Sequence, residues 1–340
     1  ADGRYSVCLL EAGPRDRSPL FRMPGAFPYF MFSKKYNWAY EARSDPAIRQ
    51  GQPLFVPRGK CLGGCSSTNA MAYVRGQRED FDSWAAQGNA GWDYASLLPC
   101  FRRIESFSEG GDAYHGDQGP VRVEQFPLQY PLSACFLEAA RSCGYPPNPD
   151  FNGASQAGVG VYPYNIDGGI RASASRAYLG AALGRQNLTV LTGARVRSIL
   201  IRDGAATGCA IARGARQIQI SANREVILSA GAINSPQLLL LSGIGEAAEL
   251  ERLGIDCQRD LPGVGRNLQE HVDACVLVES RINDGLTTSP GGLARMVPEL
   301  FRYMLRREGK LARPLIEVGG FIHSSDAVRR PDIQLGLVPV

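Results

Sequence analysis

The stretch GKCLGGCSSTNAMAYVRGQREDFD, residues 59–82, carries the reading of this chain. Gly59, Gly63 and Gly64 crowd together, and small polar residues, Asn69, an aromatic and a basic residue follow. Glycine has no Cβ, so such a loop can lay its backbone against a flat or anionic ligand. A tight structural turn uses the same residues. The loop gains weight from a second unusual segment far downstream, GAINSPQLLLLSGIG at 231–245.

Working outward, YSVCLLE at 5–11 reads as a strand buried on both faces, of the parallel type, ending in an acid. Residues 14–58 read as an extended covering segment. Apolar periodicity predicts helices at 78–87, 94–107, 131–143 and 291–308. Short β segments at 189–192, 195–201, 207–212 and 217–220 form a meander, with Asp203-Gly204 as one turn. REVILSAG at 224–231 reads as a second buried strand. A short helix follows, with Asn234 or Ser235 at its N-cap, Pro236 near its first position and Gly243 just past its end. Parallel-type strands at both ends of this span imply one α/β domain assembled from separated pieces, with a second domain between them.

The chain has 340 residues, 44% hydrophobic and 21% charged, the balance of a soluble core-forming protein. A net charge of +4 is too small and too evenly spread to argue for nucleic acid. The basic run RYMLRR at 302–307 reads as a solvated helix face. Nine cysteines form no C-x-x-C pair, and the three histidines sit at no zinc-ligand spacing. No metal is expected, and the scattered thiols point to a reducing, cytoplasmic compartment. The opening ADGRYSVCLLEAG is not a signal peptide. The most apolar stretch, 226–245, is broken by Asn234, Pro236, Gln237 and Ser242, so no transmembrane segment is expected. Peripheral association with the inner membrane stays open.

In a dinucleotide-binding fold, an acid at a strand end accepts hydrogen bonds from ribose hydroxyls, the position Glu11 would hold. An ordinary exposed strand-end glutamate has the same sequence. The GxGxxG fingerprint that should precede such an acid has no counterpart here, and Gly263-Val-Gly265 is not completed. Either Glu11 is ordinary, or the chain starts one βα unit late.

The segments PRGKCLGGCSSTNAMAYVRG (57–76) and GAINSPQLLLLSGIG (231–245) resemble the two diagnostic segments of the glucose–methanol–choline (GMC) oxidoreductases, FAD-dependent alcohol dehydrogenases and oxidases. LLEAGP (9–14), YNWAY (36–40), DFNG (150–153), RASASRAYL (171–179), NLTVLTGARV (187–196) and LPGVGRNLQEH (261–271) fit the same family in the same order. The resemblance covers essentially the whole chain and looks closest to the choline dehydrogenase-like branch.

The resemblance implies an α/β fold: a discontinuous, Rossmann-like FAD-binding domain over 1–90 and 186–275, and an α+β substrate domain over 91–185 and 276–340. Glu11 would hold the adenosine ribose. Cys61, Leu62, Gly63 and Gly64 would run beside the dinucleotide, and Asn69, Ala70, Met71 and Ala72 would contact its flavin end. Val196 would meet the adenine through its main chain, although a meander core residue fits there equally well. Ala230 and Gly231 would pass near the cofactor. Thr68 stands where some relatives carry a histidine covalently attached to flavin, so FAD is expected to be non-covalent. Cys65 replaces a more usual serine and is expected to be a packed thiol.

GMC enzymes place their catalytic histidine in a segment that has no counterpart here, so no catalytic residue is assigned. His115, His271 and His323 read as structural or surface residues. Glu317 could face a cationic or hydroxylated substrate, or be an exposed or salt-bridged acid. The expected reaction is oxidation of a primary alcohol to an aldehyde, with a small-molecule alcohol as substrate and a quinone or other electron acceptor. The alternatives are an alcohol oxidase on the same scaffold and a non-catalytic remnant. The chain is expected to be incomplete at both ends, and these 340 residues alone to hold FAD poorly and to be inactive.

Overall fold

The computed structural model describes residues 3–281, 285 and 290–339. The chain has a mixed α/β architecture in two compact units. The first comprises Ala1–Arg15, Lys60–Leu62 and Arg185–Glu279; the second comprises Asp16–Gly59, Gly63–Gly184 and Ser280–Val340. The expected FAD-binding and substrate spans are functional assignments and follow a different division. The compact units place residues 16–59 and 63–90 with the second body.

In the first unit, strand Val7–Glu11 pairs in parallel with Leu188–Thr192, in register from Val7↔Leu188 to Glu11↔Thr192. The strand forms where the sequence indicates, but it is not covered on both faces. Val7 and Leu9 are each 39% exposed, because only two strands make up this sheet among the described residues. Leu188–Thr192 leaves the expected meander to become that parallel partner. The meander proper is Arg195–Arg202, Ala205–Arg213 and Arg216–Ser221, all antiparallel. Its first hairpin turns at Asp203 and Gly204, with φ of +50° and +76°. Such positive values at both central residues suit the right-handed twist of the flanking strands.

Residues 224–230 correct a second expectation. They are not a strand, and Ile227 is 77% exposed. An apolar run becomes a strand only where a neighbour takes its backbone hydrogen bonds, and none does so among the described residues. Helix Gly231–Leu241 starts earlier than the expected Asn234 or Ser235 cap. The Ser235 hydroxyl instead accepts from Ala230 N–H at 3.1 Å, holding the entering chain. Gly243, at φ +82°, ends the helix as expected. The helix packs on strand Arg195–Arg202, where Ser242 Oγ accepts from Ile199 N–H at 2.8 Å.

The second unit holds two three-stranded sheets. One orders Ile333–Gly336, Val318–Ile322 and Gly158–Val161, all antiparallel; the other orders Glu105–Phe107, Val121–Gln125 and Pro163–Tyr164. Met71, Phe151, Tyr162, Tyr164, Ile166 and Phe321 make one core. Helices Arg78–Ala86, Tyr94–Ile104, Pro131–Ser142 and Pro290–Arg306 lie where periodicity predicts them. The helix expected over 94–107 stops at Ile104, since Glu105–Phe107 pairs in parallel with Val121–Val123. Sheet pairing there outweighs helical propensity.

Glu317 is buried and has no ion-pair partner among the described residues. It is 4% exposed and accepts from Gln129 N–H (2.8 Å), Tyr130 N–H (3.0 Å) and the Ser133 hydroxyl (2.8 Å). Its carboxylate thus caps the N-terminus of helix Pro131–Ser142, whose own N-cap residue, Tyr130, supplies no side-chain acceptor. Glu317→Ala is expected to cost about 2–4 kcal/mol in a urea unfolding measurement on the full chain, through the donors left unpaired. Glu317→Gln, which retains one acceptor oxygen, should lose less. Wild-type stability in both variants would remove the capping role.

Candidate functional site

Three of the expected cofactor residues, Glu11, Cys61 and Leu62, come together at the turn after the first strand, and Val196 follows two residues after a segment bonded to it. Glu11 Oε1 accepts from Gly13 N–H at 2.6 Å, and the other carboxylate oxygen carries no hydrogen bond among the described residues. Burial pushes the Glu11 pKa up, against the pull of the Gly13 hydrogen bond. Gly193 N–H donates to Gly13 O and Ala194 N–H donates to Glu11 O, which brings the start of strand Arg195–Arg202, and so Val196, to the turn. Leu62 N–H donates to Pro14 O at 3.1 Å, which seats the buried Cys61 and Leu62. The turn stands at the carboxyl end of the parallel pair, where open α/β sheets bind ligands.

Ala230 and Gly231 belong to the same unit but make no hydrogen bond to this turn. Gly231 has φ +88°, with nothing within 4 Å of where a Cβ would stand, and no side chain caps the helix it begins.

The glycine loop lies largely in the second unit. A Cβ on Gly63 (φ +83°) would stand 2.3 Å from Ser67 Oγ and 3.1 Å from Ser175 Cβ. Gly63 is therefore required by the chain itself: a side chain there meets two serines before it can enter any cofactor space. Gly64 (φ +53°) differs, since open space surrounds its Cβ position. Asn69 Oδ1 accepts from Met71 N–H at 3.2 Å and from Arg171 Nη1 at 2.8 Å, which leaves the exposed amide nitrogen, Nδ2, as the side chain's donor. Ala70 is half-buried and Ala72 exposed. Met71 is 1% exposed; its side chain is turned into the core and its carbonyl accepts from Asn165 N–H. Cys65 is exposed rather than packed, and its Sγ accepts from Gly59 N–H at 3.3 Å. Among the described residues, Thr68 bonds only within its own turn.

Sequence reasoning passed over three features. Gly13 is one: a Cβ there would stand 2.0 Å from Lys60 O, so this glycine lets the two segments touch. Arg171 is the second, buried at 2% exposure and reaching Ser66 O and Asn69 across more than a hundred residues of sequence. RASASRAYL carries the arginine, but nothing local in that segment marks its partner. The third is a buried ionic cluster of Arg75, Glu105, His115 and Asp150. His115 is thus structural and buried, stacked on Phe107 with ring centroids 4.3 Å apart. His271 and His323 are exposed. No cluster of metal-ligating side chains occurs among the described residues.

Within the first unit the donor set suits a nucleotide cofactor: a carboxylate oxygen at a strand end with no hydrogen bond among the described residues, and a helix start at Gly231 that no side chain caps. Comparison with known proteins agrees. Residues 15–273 match the family model described as GMC oxidoreductase. The chain is 42% identical over 343 residues to an oxygen-dependent choline dehydrogenase of Photobacterium profundum, covering all of this chain and 60% of that protein. It is 39% identical over 345 residues to the enzyme of the same name from Rhizobium etli, again over all of this chain and 61% of the relative. Among solved structures, pyridoxine 4-oxidase from Mesorbium loti superposes with a TM-score of 0.82 at 30% identity, covering 99% of this chain and 62% of that one. A formate oxidase gives a TM-score of 0.84 at 25% identity, covering 98% and 64%. The chain therefore spans less than two thirds of the length of these curated relatives. With 259 consecutive positions matched by the family model, the chain belongs to the GMC oxidoreductase family.

Proposed function

We propose that this chain carries the cofactor-gripping part of an FAD-dependent oxidoreductase acting on CH–OH groups, which turns a primary alcohol into an aldehyde. Bound FAD supplies the two-electron acceptor for hydride. Glu11 accepts hydrogen bonds from the adenosine ribose through its unengaged oxygen, and the main chain at Val196 meets the adenine. The backbone at Cys61 and Leu62 runs along the dinucleotide, and Gly64 and Gly231 leave room for it to approach. Asn69, held by Arg171, presents its amide nitrogen toward the flavin end, beside Ala70 and Ala72. Threonine at position 68 forms no covalent link to flavin, so the cofactor is exchangeable. In this reading, residues 1–90 with 186–275 serve the cofactor and 91–185 with 276–340 serve the substrate.

The electron acceptor is a quinone or a similar carrier. The names of the relatives support choline as a candidate alcohol. Glu317, the carboxylate that the sequence offers to a cation, is engaged at the start of helix Pro131–Ser142. A quaternary ammonium group would need a different partner.

The observation that carries the proposal is the Glu11 turn, where Cys61 and Leu62 lie beside a carboxylate oxygen with no hydrogen bond among the described residues. Glu11→Ala in the full-length protein should weaken FAD binding by on the order of ten- to a hundredfold, the worth of hydrogen bonds to a charged acceptor. Flavin fluorescence on dilution reads the release. Unchanged affinity would overturn the ribose assignment.

A further inference from the structure

A cleft of about 310 Å³ opens in the second unit, on residues that the flavin reading leaves unused. Its wall includes the start of helix Arg78–Ala86, the loop at 153–157 and the turn at 329–331. Side-chain hydrogen bonds pin these pieces. Asn152, 3% exposed, accepts from Arg75 N–H at 2.8 Å and donates to Tyr73 O at 2.8 Å. Gln156 Nε2 donates to Arg75 O at 2.8 Å. At the turn, Gln77 Nε2 donates to Pro331 O at 2.7 Å, and Arg330 Nη1 donates to Asp80 Oδ1 at 3.0 Å.

What this wall offers is donors. Ala154, Ser155 and Gln156 are consecutive and all line the cleft, and none of their backbone N–H groups finds an acceptor among the described residues. The loop is held by the Asn152 and Gln156 side chains instead, so its main-chain donors stay unspent. A run of successive peptide N–H groups of this kind is an anion-binding feature. Arg78 and Arg329 line the same cleft; both are exposed and neither has an ion-pair partner among the described residues. Arg78 rests over the Tyr94 ring, 5.1 Å from its centroid. Glu79 is the single acid among the lining residues. Arg75 adds an independent sign. Its side chain is 4% exposed, and Nη2 donates to Glu105, yet Nε is buried with no hydrogen-bond partner among the described residues. A buried donor left unmet costs stability, and this one belongs to a residue of the cleft wall.

We infer that this cleft binds phosphate, free or as a small monoester. Phosphate brings several strong acceptor oxygens and up to two negative charges. The peptide N–H groups at 154–156 meet part of that demand, and Arg78 and Arg329 supply charge and planar donor forks. Tyr94 and Tyr114 give the organic part of an ester a partly apolar wall. The cleft is at the lower end of the size range of ligand pockets, which suits a compact ligand. The inference stands independently of the flavin assignment, because none of these residues belongs to the proposed cofactor contacts.

Equilibrium dialysis of the flavin-loaded, full-length protein against radiolabelled glycerol 3-phosphate at low salt reads the binding, with inorganic phosphate and glycerol as competitors. Inorganic phosphate should displace the label and glycerol should not. Tighter binding of the ester than of inorganic phosphate would assign the cleft to a phosphorylated metabolite, and equal affinity would assign it to the free anion; both support a phosphate site. Arg78→Gln with Arg329→Gln should weaken binding at least about tenfold, the worth of one hydrogen bond to a charged group. Flavin content and the unfolding temperature without ligand should stay at the wild-type values, since neither arginine has an ion-pair partner to lose. Arg329→Gln alone should weaken binding by a smaller factor and gives the same reading should the double variant be less stable. Absence of binding at millimolar glycerol 3-phosphate would overturn the inference. Displacement by glycerol but not by phosphate would also overturn it, as would undiminished affinity in the arginine variants.

Discussion

Glu105→Ala is expected to destabilise the second unit by about 3–5 kcal/mol, the cost of breaking a buried ion pair by removing one partner. Glu105 is 0% exposed. Its Oε2 accepts from Arg75 Nη2 at 2.8 Å and Gly116 N–H at 3.1 Å, and lies 3.0 Å from His115 Nδ1. The other imidazole nitrogen lies 3.0 Å from Asp150 Oδ2. Without Glu105, buried Arg75 loses its carboxylate partner and His115 keeps only the partly exposed Asp150 on its other ring nitrogen. The cluster also sets a pH dependence. Burial by itself depresses the His115 pKa, but the hydrogen bonds to Asp150 and Glu105, together with their charges, outweigh it and push it up to about 9. Because the folded value lies above the ordinary one, the stabilisation is complete below about pH 6.5 and is lost as pH rises through about 9. Asp150 works in the opposite direction: burial raises its pKa, yet the hydrogen bonds from His115 and Asn152 N–H, with the nearby positive charges, hold it below its ordinary value. Its contribution is present above the ordinary aspartate range and is lost as pH falls through the lowered value. The urea midpoint of the wild-type protein should therefore drop between about pH 7 and about pH 10, by at most about 3 kcal/mol in stability. His115→Gln should flatten that slope. A slope unchanged by His115→Gln would show that this histidine is not its source.

Gly13→Val should abolish flavin retention and destabilise the first unit by about 1–3 kcal/mol, the range for overpacking. The added Cβ would stand 2.0 Å from Lys60 O and 2.6 Å from Cys61 N. Both atoms are main chain, so no rotamer change relieves the contact; the segments must part. Parting them breaks the Leu62 N–H bond to Pro14 O and moves the backbone proposed to line the dinucleotide. Gly64→Ala supplies the contrast. Its Cβ position is open, so the protein should lose only about 1–2 kcal/mol, from the left-handed backbone. Its flavin affinity should fall far more than that stability change implies. Bound-flavin absorbance and thermal unfolding separate the two outcomes. Full flavin content in Gly13→Val would detach the turn from cofactor binding, and full affinity in Gly64→Ala would assign the open space another use.

The sequence was most legible where structure is local. The helices at 78–86, 131–142 and 290–306 follow from apolar periodicity, the hairpin at Asp203-Gly204 from its turn residues, and the helix stop at Gly243 from glycine's access to positive φ. The family was legible too, because its two diagnostic segments are contiguous strings. The site was legible only in part. Glu11, Cys61 and Leu62 lie at one turn, while Met71, read as a flavin contact, sends its side chain into the core.

What the sequence by itself determined is family, element type and turn chemistry, since each depends on residues within a few positions of one another. Tertiary structure decided that Gly63 faces Ser67 and Ser175, that residues 224–230 find no strand partner, and that Glu317 caps a helix begun 186 residues before it. It also decided that His115 is a buried cation between two acids. The physical reason is that a buried polar group is satisfied by whichever partner the fold brings to it. Propensity along the chain carries no record of a neighbour a hundred residues away.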